Sequence, residues 1–77
     1  MVDHLTRITV PAAAPRAGDL AAALAALGFA VRRDRARLVA ESTAVEAGEA
    51  KRALRARGFA DAEYQVFLEY VRRWGIL

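Results

Sequence analysis

From His4 to Val10 the chain alternates, with Thr6, Ile8 and Val10 on one parity and Leu5, Arg7 and Thr9 on the other, in a β-branched run that stops at Pro11. That period of two predicts a strand. Pro11-Ala12-Ala13-Ala14-Pro15 follows as a connector, because each proline removes an amide donor and biases the residue before it away from helix. Near Pro15 or Arg16 the period changes. Leu20, Ala23, Leu24 and Leu27 fall at i, i+3, i+4 and i+7, a helical stripe, and Asp19 sits where a carboxylate complements the first turn. Gly28 is placed to end that helix in the left-handed conformation, with Phe29 as the apolar residue that folds back on the last turn.

Two short runs, Phe29 to Arg33 and Arg37 to Glu41, predict a β-hairpin turning at Asp34-Arg35-Ala36. Thr43-Ala44-Val45-Glu46 has the spacing of a capping box and predicts a second helix from about Ala44 to Arg57, closed by Gly58-Phe59. Beyond it, Asp61 and Glu63 precede Val66, Phe67, Tyr70, Val71 and Trp74, which share one helical face, with Arg72 and Arg73 in the last turn. Acidic start, stripe and basic finish predict a third helix. The β-propensity of Tyr64 to Val71 is the competing signal.

The expected architecture is one small α+β domain over residues 1–77, a three-stranded antiparallel sheet of order 1-3-2 with helices on one face, βαββαα. The first strand is then an edge. The alternative comes from an internal echo: Ala22 to Ala30 (AALAALGFA) and Arg52 to Ala60 (RALRARGFA) agree at six of nine positions, 30 residues apart. A duplicated unit would make Tyr64 to Val71 a fourth strand and complete a ferredoxin-like βαββαβ sandwich. Two helices ending independently in the same glycine cap also produce the echo, and the residues ahead of the two segments do not match.

Composition narrows the means of stabilising this domain. Hydrophobic residues make up 56% of the 77, but 19 of them are alanine, so bulky core side chains are scarce. A core of this size supplies only about 3–5 kcal/mol. With no cysteine and a single histidine, neither a disulfide nor a thiolate or imidazole metal site is available, no cofactor is expected, and self-association is the remaining staple. Eleven of the twelve basic residues are arginine, asparagine is absent and Gln65 is the lone glutamine. That resembles a heat-stable protein; a GC-rich genome gives the same composition. Met1 to Arg7 lacks the basic and apolar segments of a secretion signal, and Leu20 to Val31 is far shorter than the roughly 20 residues that span a bilayer. The expected compartment is the cytoplasm, with no membrane role.

Two surfaces stand out as candidates for binding. Phe67, Tyr70, Trp74, Ile76 and Leu77 form an apolar cluster at a chain end, where polar residues are usual, and such a cluster either closes over the core or meets a protein partner. Arg32, Arg33, Arg35 and Arg37 on the hairpin, with Arg52, Arg55 and Arg57 late in the second helix, are the alternative, a nucleic-acid contact through phosphates. A net charge of +3 is mild for that role, and no aromatics are interleaved. Catalysis is not expected. His4 has no nucleophile in register, Ser42 has no base, and the five glycines are isolated. The functional expectation is a non-catalytic protein-interaction or self-association module, a homodimer or the partner of another protein. It would work through the apolar cluster or through pairing along the edge of the first strand.

Overall fold

The computed structural model describes residues 2–72, and their side chains over residues 5–67. Its elements are β1 (Val2–Pro11), α1 (Ala17–Ala26), β2 (Ala30–Asp34), β3 (Arg37–Ser42), α2 (Ala47–Ala56), a single 3-10 turn (Asp61–Glu63) and β4 (Gln65–Arg72). The sheet has four strands in the order β2-β3-β1-β4, every neighbouring pair antiparallel. The α+β class is as expected, and the topology is the complete ferredoxin-like βαββαβ.

Three expectations are corrected. The segment read as a third helix is β4, which pairs with β1 from Val2↔Arg72 to Thr9↔Gln65. Its aromatic and β-branched residues suit a pleated surface, and they fill the second edge of β1. Asp61 and Glu63, which resembled a helix start, instead anchor Arg55 and Arg16. As a consequence β1 is a central strand flanked by β3 and β4, not an edge. The capping box at Thr43 does not form either. Ser42 Oγ accepts the Ala44 and Val45 amides at 3.0 and 3.1 Å, and α2 starts only at Ala47, behind an extended Glu46 that makes no side-chain cap.

The helices lie on one face. Ile8, Val10 and Ala40 from the sheet, Ala17, Leu20, Ala23 and Leu24 from α1, and Ala50 and Leu54 from α2 form the core with Phe29, Phe59 and Tyr64. Alanine at 17, 23 and 50 brings helix backbones close to the sheet, so a few large side chains fill the layer. Burying each leucine here removes roughly 1.5–3 kcal/mol of exposed apolar surface from water. The hairpin turns at Arg35, whose φ is +56°.

Both helices end in one hydrogen-bonded pattern. The Gly28 amide donates to Ala25 O and the Phe29 amide to Leu24 O; Gly58 and Phe59 repeat this on Arg55 O and Leu54 O. Each is a Schellman cap, with the glycine at φ +102° or +90° and the following phenylalanine turned into the core. The echo therefore marks two structurally equivalent places, helix end followed by strand in each half of the fold.

Candidate interaction surface at the outer strand

Strand parity decides what the helix-free face presents. Arg7 lies between Glu41 on β3 and Phe67 on β4, and Thr9 between Val39 and Gln65; Arg32 on β2 pairs with Val39 from the other side. The Arg7 Nε meets Glu41 Oε2 at 2.8 Å, and Arg32 reaches Glu41 and Asp34, each at 3.7 Å. Val39 is buried, at 5% exposure, without belonging to the helix-side core. Its register neighbours explain this: the apolar stems of arginine lie along such a surface while their heads stay wet. The middle of this face is thus sealed by its own ion-paired side chains.

Its β4 side is different. Phe67 is 45% exposed, the large hydrophobic left out in water among the described residues. It belongs to the outermost strand, whose far edge has no partner strand among the described residues. Adjacent Val66 packs on the core, so the strand turns one apolar side chain inward and the next outward. Of the other residues in the apolar cluster, Tyr70 lies in β4 opposite His4; Trp74, Ile76 and Leu77 lie outside the described residues.

The seven arginines singled out in the sequence do not gather on one surface. Arg32 and Arg37 take the helix-free parity. Arg33, opposite Leu38, takes the other, with its Nε donating to Arg35 O at 3.2 Å. The hairpin forms the β2 margin of the sheet, whereas α2, with Arg52, Arg55 and Arg57, packs on β4 at the opposite margin. Arg55 holds Asp61 through two hydrogen bonds of 3.0 and 2.5 Å. Arg57 Nη1 donates to Ala23 O at 3.0 Å, which gives α1 a cation near the C-terminal end where it has none of its own.

A second polar cluster joins the halves of the fold. Arg16, at the start of α1, donates from Nε to Glu63 at 2.8 Å, from Nη2 to the same carboxylate and to Gly58 O, and stacks over Phe59 at 4.5 Å. Glu63 also accepts the Ala60 amide at 2.8 Å. The Arg16 guanidinium, helped by that amide, holds the Glu63 carboxyl below its ordinary range, and Arg55 does the same to Asp61. Burial pushes the Tyr64 phenol up. These are tethers between the start of α1, α2 and the turn that precedes β4, and every charged group in them is already engaged.

Beside them, Thr9, Pro11, Arg37, Glu63, Tyr64 and Gln65 line an open depression of about 220 Å³, smaller than the roughly 300–1,000 Å³ usual for ligand sites. No three of His, Cys, Asp or Glu come together as a metal cage among the described residues. No helix there is long and apolar enough to cross a membrane. In comparisons with known proteins, no family model, curated protein or solved structure matches the chain. The site rests on its own geometry. Sequence reading found Phe67 but not the Arg7–Glu41–Arg32 row; the signal for it was the odd parity of Leu5, Arg7 and Thr9, which marks a second, polar face of a central strand.

Proposed function

We propose that the protein is a non-catalytic module that works by contact, associating with itself through the β4 margin. The observation that carries this reading is Phe67, an exposed large hydrophobic on an outer strand, beside a middle of the helix-free face that ion pairs cover. A thin core favours burying that surface against a partner. Ser42, the serine of the chain, spends its hydroxyl on two amides, which fits a contact role rather than a nucleophilic one.

Light scattering after size exclusion tests this. The expected result is a dimer at micromolar concentration that dissociates in the Phe67→Lys variant, since a charge on an outer strand opposes association. A wild-type monomer at high micromolar concentration refutes it. Nucleic-acid binding through the arginines is the competing outcome; it would appear as a mobility shift at low salt that falls steeply as salt is raised.

A further inference from the structure

Resting on that reading of the β4 margin, we propose that two copies join edge to edge, β4 running antiparallel to β4 of the second copy across a two-fold axis, so that two four-stranded sheets become one of eight strands.

The two margins of the sheet are not alike. β2 has five residues, and three in succession are charged, Arg32, Arg33 and Asp34. Consecutive charges and short length are the usual protection of an edge against unwanted pairing. β4 has eight residues, QVFLEYVR, with Glu69 as its one charge before the terminal Arg72. In an antiparallel ladder alternate residues turn their amide and carbonyl away from the existing neighbour, so β4 offers a row of donors and acceptors that no strand among the described residues pairs with. Backbone pairing of this kind supplies affinity without any side-chain pocket.

A second copy fits that row better than any other strand of the same protein. Pairing β4 with β2 of another copy would be head-to-tail and would propagate into a filament, and the charged β2 edge opposes it. Pairing β4 with itself closes after two chains. The strand's own order of residues suits such a pair. A two-fold pair must set one residue opposite its own copy, because directly opposed residues share a face; with Leu68 on the axis, seven positions pair, 65 to 71, and Phe67 lies opposite Glu69 of the second copy. The register that would oppose Glu69 with its own copy, two like charges directly across the ladder, is disfavoured.

The chain has no cysteine, so one introduced thiol reports on one position. Gln65→Cys, Phe67→Cys, Leu68→Cys, Glu69→Cys, Ala30→Cys and Arg37→Cys are made in the full chain, oxidised under native conditions, and scored for covalent dimer. Cross-linking is expected at 68, on the two-fold axis, and not at 67 or 69, whose copies lie two residues apart along the ladder. It is expected to be lost at 65, 30 and 37, because cysteines whose Cα atoms are more than about 7 Å apart cannot be bridged. Amide exchange provides the second reading: alternate β4 amides become protected in the dimer and lose that protection on dilution. A dimer by light scattering that cross-links through Arg37→Cys or Ala30→Cys, or that leaves the β4 amides unprotected, overturns the edge pairing and leaves self-association standing. A strict monomer overturns both.

Discussion

Thr6 is fully buried in β1, and its Oγ1 has no hydrogen-bond partner among the described residues. Its register neighbours are Ser42, whose oxygen already accepts two amides, and Leu68. A buried hydroxyl left unsatisfied costs about 1–3 kcal/mol. Thr6→Val keeps the β-branched shape and the strand propensity and removes only the polar atom, so we expect stability to rise by about 1–2 kcal/mol. For a chain of this size each 1 kcal/mol moves Tm by roughly 4–8 °C, and the rise is measurable by thermal and urea denaturation followed by circular dichroism. The variants are compared at one protein concentration, because association contributes to apparent stability. Thr6→Ser is the control: it keeps the hydroxyl, deletes a buried methyl and should lose about 1 kcal/mol. A Thr6→Val protein no more stable than wild type, with an unchanged urea dependence, refutes the reasoning, since the hydroxyl must then be satisfied in solution.

Gly28→Ala and Gly58→Ala should each cost about 1–2 kcal/mol, the penalty of a left-handed backbone alone, because an added Cβ meets nothing within 4 Å at either site. Gly48→Ala in α2 should instead gain about 0.5–1 kcal/mol, its Cβ lying at an ordinary 3.9 Å from Arg52 Nη1; chemical denaturation of the three variants reads both signs at once. Leu54→Ala removes one of the two residues that α2 buries and should cost about 2–5 kcal/mol in the same assay. Stability should also fall in acid. The Glu63 and Asp61 carboxyls are held below their ordinary range by Arg16 and Arg55, so the folded chain binds fewer protons than the unfolded one. The stabilisation is complete above about pH 5 and drains as pH falls below about 4. Glu63→Gln should flatten that dependence in acid titrations of Tm, and an unchanged profile would contradict the Arg16 tether.

Much of the fold was legible because its signals are local. The alternation around Ile8, the stripe of Leu20 and Leu24, the hairpin flanking Asp34 to Ala36 and the two glycine caps each rest on residues close together in the chain, and each took the expected form. The errors came where one pattern served two purposes. Ser42-Thr43 offered two hydroxyls, and the one at the strand end captured the amides three and two residues before α2 begins. Asp61 and Glu63 resembled the acidic first turn of a helix, but their arginine partners sit six residues back in the chain and across the fold in α1. Pairing at that distance leaves no trace in a window of sequence.

The same limit governs the interaction surface. Val66, Phe67, Tyr70 and Val71 satisfy a helical stripe, and a strand that packs Val66 inward while exposing Phe67 carries apolar residues on both parities, which erases the period of two. What separates the readings is a count made at the level of the sheet. With three strands β1 ends the order and its edge is free; with four, β1 is enclosed and the free edge passes to β4. One element's assignment therefore moves the candidate interface from one strand to another without changing any residue. The edge-pairing idea survives that move with a better strand to act on: β1 between two neighbours has nothing left to offer, while β4 has, among the described residues, no strand on its outer side and places Phe67 beside it.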